Sequence, residues 1–363
     1  MQLIQYAPST ETVHKRPLLF VPPWINKFYV LDLQPKNSLI KWTVDQGHTL
    51  FVVSWANPSQ ELAHKNFEDY MHEGPLAALD AIEQATGERE VNILGFCIGG
   101  ILTTCTLAYL AAKGVDRIKA ATLLATIIDF SDVGESSVFI DENQLAAMEK
   151  HTAEKGYLAG HHMADMFSMM REKDLVWFFV ENNYLLGRGP RPFDLLFWNA
   201  DSTRLPSAML LWYLRRMYME NALLKPGAIT LDGVPIDVAK IKTPCYVFAT
   251  KEDHIAPWRA TYPATRAFGG PVTFVLGGSG HIAGVINPPT PSKYGHWTNP
   301  KHPPDPDKWL EGATKHEGSW WPDWGQWLAR RAGKQVPARH PGGGKLKPIE
   351  DAPGSYVRER GSE

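Results

Sequence analysis

One stretch of the sequence, Val-Asn-Ile-Leu-Gly-Phe-Cys-Ile-Gly-Gly at residues 91–100, decides the fold. Its apolar first half predicts a buried strand, and the apolar residues that follow predict a helix over 98–112. The Gly-x-Cys-x-Gly pattern between them is typical of a nucleophile elbow, a strand-to-helix turn so sharp that side chains at Gly95 or Gly99 would collide with neighbouring backbone. The pattern therefore predicts Cys97 as a nucleophile, held in strained backbone at a helix N-terminus that favours the thiolate.

Composition excludes several classes of protein. The 363 residues carry a formal net charge of −2 without a run of Lys or Arg, so nucleic-acid binding is not expected. Three cysteines without metal-ligand spacing favour a reducing compartment over a disulfide scaffold. Adjacent His161 and His162 lie among methionines, which is a weak ligand pattern, and we predict no metal. No apolar run is long enough to span a bilayer, and we expect a cytoplasmic protein.

Apolar strands alternate with helical segments up to about residue 130 and again after residue 236, which predicts a mostly parallel sheet with right-handed crossovers. The intervening segment is helical, irregular and rich in Met, Phe, Trp and Tyr, as in an inserted cap. We therefore predict an α/β-hydrolase fold with a helical cap (lid). The predicted divisions are a linker or truncation remnant at 1–16, the first part of the core at 17–130, the cap at 131–235, the second part of the core with a C-terminal helix at 236–332, and a loosely ordered tail at 333–363.

Asp253 and His281, which lie further along the chain, complete a catalytic pattern with Cys97. Asp253 follows the apolar strand predicted at 244–250, and His281 lies in the glycine-rich loop after the next strand, predicted at 272–276. Nucleophile, acid and histidine, in this order at the ends of successive strands, are the arrangement of α/β-hydrolases. Taken singly, Asp253 could cap a helix and His281 could be an ordinary loop histidine, but the order predicts a triad with Cys97.

Several stretches outside the triad carry a more specific resemblance. They are Val-Pro-Pro-Trp-Ile-Asn-Lys-Phe-Tyr at 21–29, Ser-Trp-Ala-Asn-Pro at 54–58, Gly-His-Ile-Ala-Gly-Val-Ile-Asn-Pro-Pro at 280–289 and Trp-Trp-Pro-Asp-Trp at 320–324. With the elbow, they make the chain closely resemble the catalytic domain of class I polyhydroxyalkanoate synthases from about Pro17 to Val357. Members of this class begin with a sizeable N-terminal domain, and we expect this chain to correspond to the catalytic domain without it.

The resemblance implies a reaction. These synthases polymerise (R)-3-hydroxyacyl-coenzyme A, chiefly the 3-hydroxybutyryl ester, into polyester and release coenzyme A, with no cofactor. We expect His281 to take the proton of Cys97, whose thiolate attacks the acyl thioester. The backbone N–H groups of Ile98 and Ile25 are the expected oxyanion donors. Either His281 or Asp253 could then activate the incoming hydroxyl.

Three further residues are predicted to bind substrate. Ala283, two positions after His281, is expected to face the acyl pocket, where its small side chain leaves room for short acyl chains. Trp198 and Tyr213 of the aromatic cap are candidates for the walls of a channel that excludes water. The alternative for these two residues is that they only pack the cap on the core.

The resemblance also implies partners: a second copy of the chain in a homodimer, the polyester granule surface and granule-associated proteins. Two other functions stay possible. One is a cysteine-type hydrolase on the same fold, a thioesterase or a polyester depolymerase, because this fold hosts many reactions. The other is a non-enzymatic granule-coating protein with an adhesive aromatic cap, although the complete triad argues against it.

Overall fold

The computed structural model describes residues 1–170, 176–189, 194–291 and 293–360. The strands are β1 Gln2–Gln5, β2 Thr12–His14, β3 Leu18–Val21, β4 Leu50–Ser54, β5 Val91–Phe96, β6 Ile118–Leu124, β7 Tyr157–Leu158, β8 Leu205–Pro206, β9 Thr230–Leu231, β10 Val234–Pro235, β11 Cys245–Thr250, β12 Val272–Gly277, β13 His296–Thr298, β14 Thr314–His316 and β15 Gln335–Pro337. The α-helices are α1 Leu39–Asp45, α2 Phe67–Met71, α3 Ala77–Thr86, α4 Ile98–Ala112, α5 Glu142–Thr152, α6 Gly160–Met170, α7 Asp194–Ala200, α8 Ser207–Tyr213, α9 Trp258–Thr261, α10 Ala264–Ala267, α11 Pro306–Glu311 and α12 Trp321–Ala329.

Nine strands form the central sheet, in the order β1-β4-β3-β5-β6-β11-β12-β13-β14. The six strands from β4 to β12 in this order are parallel, whereas the strands at both edges pair antiparallel. Every residue of β3, β4, β5 and β11 is buried, as expected for parallel strands covered on both faces. This sheet, with an elbow after β5, confirms the predicted α/β-hydrolase fold.

The elbow has the predicted geometry. Strand β5 ends at Phe96 and α4 begins at Ile98, and Cys97 between them has φ 54° and ψ −125°. A Cβ on Gly99 would lie 2.3 Å from the carbonyl oxygen of Val21, so only glycine lets α4 approach the end of β3. The sheet edge and the start of α4 thereby meet at the nucleophile.

The N-terminal segment is not the linker predicted for 1–16. Strand β1 pairs antiparallel with β4, with Gln2 opposite Ser54, and β2 pairs with β15 near the other end of the chain. The prediction was wrong because both strands owe their order to partners far along the sequence, which a short polar segment does not reveal by its own pattern.

The C-terminal tail predicted to be loose from 333 onward is held in place as far as residue 360. Arg339 forms an ion pair with Glu88 at 2.9 Å, and the Lys345 amide donates to the Gln84 carbonyl at 2.9 Å. The prediction was wrong for these residues because a Pro- and Gly-rich segment can still be ordered by hydrogen bonds to neighbouring elements.

Between β6 and β11 lies the insertion that corresponds to the predicted cap, and its described part contains α5 to α8. Leu158, Trp198 and Met209 from this insertion belong to the same buried cluster as the strands of the sheet. The insertion is therefore packed on the core through apolar side chains. Over the described ranges, no helix has the length and apolar character needed to cross a membrane.

Candidate active site

The structure brings the three predicted triad residues together at one edge of the sheet. Cys97, Asp253 and His281 follow β5, β11 and β12, and the carboxyl ends of these parallel strands point the same way. His281 Nδ1 lies 2.7 Å from Asp253 Oδ2. The side chain of Cys97 lines the same cavity as His281 and acts electrostatically on its imidazole. The histidine thus lies between the nucleophile and the acid, as nucleophilic catalysis requires.

Asp253 is buried but well supplied with donors. Its Oδ1 accepts from the backbone amides of Ile255 and Ala256, at 2.9 and 2.8 Å, and its Oδ2 accepts from Thr250 Oγ1 at 3.1 Å. Burial by itself raises the pKa of this carboxyl, but the charge and hydrogen bond of His281, with the two amides, bring the pKa below its ordinary value. Asp253 is therefore ionised and keeps a proton on Nδ1 of the imidazole.

His281 has the basicity of a proton acceptor. Burial lowers the pKa of the imidazole, but the charges of Asp253 and Cys97 outweigh burial and raise that pKa to about 10. The ring stacks on Phe96, with centroids 5.2 Å apart, so its orientation is fixed from the side of the elbow. With Nδ1 engaged by Asp253, the other ring nitrogen is left to serve Cys97.

The two predicted oxyanion donors are unpaired. Among the hydrogen bonds of the described residues, none uses the backbone N–H of Ile25 or Ile98. The loop that carries Ile25 follows β3, the neighbour of β5, and the missing side chain of Gly99 lets this loop touch the first turn of α4. Unsatisfied N–H groups are uncommon in folded proteins, and two of them beside a nucleophile suit a developing negative charge.

A cavity of about 320 Å³ opens over the triad. Cys97 and His281 form part of its lining, and Ile25, Leu195 and Ile282 contribute apolar wall. A mostly apolar cavity with a few polar groups is the usual form of a small-molecule site.

The predicted substrate-binding residues differ in their placement. Ala283 and Trp198 line the cavity; Ala283 is exposed, while Trp198 is buried and donates from Nε1 to the carbonyl of Lys27 at 2.8 Å. Tyr213 is buried and is absent from the described lining. Its ring packs parallel to that of Phe67 at 6.4 Å, and burial, followed by the charges of Tyr218 and Cys97, raises the pKa of its hydroxyl, so its role in substrate binding stays a prediction.

Sequence reasoning missed five polar residues of the cavity wall: Asn26, Asn199, Glu252, His254 and Ser279. Glu252 and His254 flank the predicted acid, so its neighbours along the chain could have indicated them. Asn199 lies on α7 of the insertion, and no local pattern relates it to the triad.

Within the described ranges, no three His, Cys, Asp or Glu side chains are arranged to hold a metal ion. His162 has its Nε2 3.2 Å from Nε2 of His151 and its ring against His161.

The sheet order, the elbow and the Asp–His pair define an α/β-hydrolase-fold protein. Comparison with known proteins narrows this class. The chain is 53% identical over 99% of its length to the poly(3-hydroxyalkanoate) polymerase subunit PhaC of Rhizobium meliloti, and 53% identical over 99% to the polymerase of Methylorubrum extorquens. It is 47% identical over 99% to the PhaC subunit of Cupriavidus necator. These identities confirm the resemblance to polyhydroxyalkanoate synthases over nearly the whole of this chain.

The match does not extend over the whole length of these relatives. The chain spans 58%, 59% and 62% of the three polymerases, about three fifths of each. A family model described as the N-terminus of poly-beta-hydroxybutyrate polymerase (PhaC) matches residues 1–43, which include β1 to β3. Among solved structures, the monoacylglycerol lipase of Paleococcus ferrophilus is 13% identical, with a TM-score of 0.48 over 91% of this chain and 100% of the lipase.

Proposed function

We propose that this chain carries the catalytic centre of an acyltransferase that polymerises (R)-3-hydroxyacyl-coenzyme A through a covalent thioester on Cys97. The observation that carries the proposal is the placement of Cys97 and His281 together at the wall of an apolar cavity, with His281 Nδ1 2.7 Å from the buried Asp253 carboxylate. The names of its relatives, poly(3-hydroxyalkanoate) polymerases, supply the product class.

In the proposed acylation step, His281 accepts the proton of Cys97 and the thiolate attacks the carbonyl carbon of the acyl thioester. The negative charge on the carbonyl oxygen is stabilised by the unpaired N–H groups of Ile25 and Ile98. The bond to the coenzyme A sulfur then breaks, and coenzyme A leaves with the proton held by His281. The products are acyl-Cys97 and free coenzyme A.

In the proposed elongation step, the 3-hydroxyl of another hydroxyacyl group attacks a Cys97-bound acyl group. The new ester bond forms, the acyl bond to the Cys97 sulfur breaks, and the hydroxyl proton passes through the base to the released thiolate. A thioester keeps the transfer potential of the donor, so transfer to a hydroxyl is downhill, whereas a serine ester would be nearly isoenergetic with the polyester. His281 and Asp253 are the two candidate bases. The hydrogen bonds that Asp253 accepts from Thr250, Ile255, Ala256 and His281 occupy its oxygens and support His281 as the base.

The cavity supports a short acyl chain such as 3-hydroxybutyryl. Ala283 is a small residue in its lining, and the buried Trp198 limits entry of water from the insertion. The proposed reaction uses side chains and the substrate alone, without a cofactor. Homodimer formation and attachment to granules stay predictions, for which exposed apolar side chains of the insertion, Trp177, Phe178, Tyr184, Leu185 and Leu186, offer surface.

The test is an intact-mass time course with 3-hydroxybutyryl-coenzyme A, with Cys97→Ala as the control. A ladder of added hydroxyacyl units that is absent from Cys97→Ala is the expected result. A single transient adduct with accumulating free acid would instead identify a thioesterase. If Cys97→Ala performed the protein's function as well as wild type does, that result would favour the alternative of a non-enzymatic granule-coating protein. If neither protein gains mass, the proposal for this chain is wrong.

A further inference from the structure

The peptide group between Trp24 and Ile25 is held by a threonine of the insertion. Its N–H, that of Ile25, is the unpaired donor beside Cys97, and its carbonyl oxygen, that of Trp24, accepts a hydrogen bond from the hydroxyl of Thr203. Thr203 is 2% exposed, and its own amide donates to the Ile25 carbonyl at 3.1 Å. One threonine therefore binds the peptide groups on both sides of Ile25.

Other bonds hold the rest of this loop without touching that peptide group. Trp55 Nε1 donates to the carbonyl of Pro22 at 3.0 Å, and Trp198 Nε1 donates to the carbonyl of Lys27 at 2.8 Å. The loop is thus fixed at its two ends by indoles. The Thr203 hydroxyl is the side-chain group that fixes the orientation of the peptide plane between them.

We propose that Thr203 is a positioning residue for the second oxyanion donor, an inference that rests on the proposed function. A peptide group is planar, and in the trans form its C=O and N–H point in opposite directions, so a bond that fixes the carbonyl also fixes the N–H. A hydroxyl on the carbonyl oxygen further polarises the peptide and strengthens the N–H as a donor. Thr203 acts through Ile25 and need not touch substrate.

The hydroxyl can be removed with little change of shape. Thr203→Val keeps the volume and the backbone amide but leaves the carbonyl of Trp24 without its donor. Thr203→Ser keeps the hydroxyl. Thr43→Val is the matched control, because Thr43 is equally buried and its hydroxyl also binds a carbonyl, that of Leu39 in α1.

Two reactions of Cys97 distinguish a misplaced Ile25 N–H from a general disturbance of the active site. Single-turnover acylation by 3-hydroxybutyryl-coenzyme A develops an oxyanion, whereas alkylation by iodoacetamide does not. Complete loss of an oxyanion donor costs on the order of 10²- to 10³-fold in rate, so a misdirected donor should slow acylation by about 10- to 100-fold. We expect this loss in Thr203→Val, with alkylation within about twofold of wild type, and near-wild-type acylation in Thr203→Ser and Thr43→Val.

Reversible binding of butanal gives an independent readout. Butanal forms a thiohemiacetal with Cys97, and the oxygen of this adduct occupies the same oxyanion site between the N–H groups of Ile25 and Ile98. Protection of Cys97 from iodoacetamide measures this binding, and we expect Thr203→Val to weaken it at least about tenfold. Unchanged acylation and butanal affinity in Thr203→Val would overturn the inference, as would an equal loss of acylation and alkylation. If Thr203→Val does not fold, Thr203→Cys, which offers only a weak donor, is judged by the same criteria. A wild-type protein that coenzyme A esters never acylate would refute the proposed function, while butanal binding would still decide the role of Thr203.

Discussion

Replacement of Asp253 by asparagine tests how the triad works. The carbonyl of the introduced side chain can still accept from the amides of Ile255 and Ala256, but its NH₂ group then faces His281 Nδ1, where the carboxylate oxygen lay at 2.7 Å. Nδ1 must become an acceptor, so the single proton of the neutral ring moves to the nitrogen that serves Cys97. His281 can then no longer take the thiol proton without losing its best hydrogen bond.

The size of the effect follows from the pKa of His281. The rise from the ordinary value of 6.5 to about 10 corresponds to roughly 5 kcal/mol in favour of the imidazolium, to which Asp253 and Cys97 both contribute. Because burial opposes this rise, the two charges together contribute more than the net figure, and Asp253→Asn removes the charge of Asp253 and also favours the wrong tautomer. We expect Asp253→Asn to slow acylation of Cys97 by roughly 10²- to 10³-fold.

The assay is quenched-flow acylation with 3-hydroxybutyryl-coenzyme A, read by intact mass. The control is Asp32→Asn, which alters a carboxylate that accepts from Tyr6 at 2.7 Å and from Ser38 at 2.5 Å, without contact to the triad. This control should acylate at the wild-type rate. Acylation of Asp253→Asn within about twofold of wild type would refute the reasoning, because the carboxylate would then have no electrostatic role.

Three further predictions follow from the same contacts. Gly99→Ala should destabilise the fold by more than about 2 kcal/mol, because the added Cβ would lie 2.3 Å from a backbone atom. Gly189→Ala is the control and should shift the thermal midpoint little, because the space around Gly189 is open. Equal thermal midpoints of the two variants would contradict this prediction. Ala283→Leu should lower the rate with six-carbon acyl donors relative to four-carbon donors, and an unchanged ratio of the two rates would remove Ala283 from the acyl pocket. Because the pKa of His281 is raised in the folded state, the stabilising contribution of His281 is complete below about pH 6.5 and is lost as the pH rises through about 10. The difference in thermal midpoint between wild type and His281→Gln should therefore shrink from about pH 7 to about pH 10. A constant difference would argue against the raised pKa.

Local patterns predicted the parts of the fold that depend on local geometry. The strand–elbow–helix unit was predicted with its helix at 98–112, as observed for α4, because glycine spacing and a single apolar run specify it. Edge strand β1 was missed, since a four-residue segment is ordered only by pairing with β4. Aromatic character alone could not decide the placement of Tyr213, because whether an aromatic side chain faces a cavity or a neighbouring ring depends on packing, and its predicted role in substrate binding stays a prediction.

The sequence by itself determined that Cys97 would stand on a sharp turn, and that an acid and a histidine would follow at the ends of later strands. These features depend on backbone sterics and on the parallel direction of neighbouring strands. Only the tertiary structure decided how the loop after β3 is held, because Thr203 reaches Trp24 across 179 residues of chain. Contacts of this kind arise when the insertion packs on the core, and the energy of that packing is spread over many apolar side chains rather than encoded at either residue.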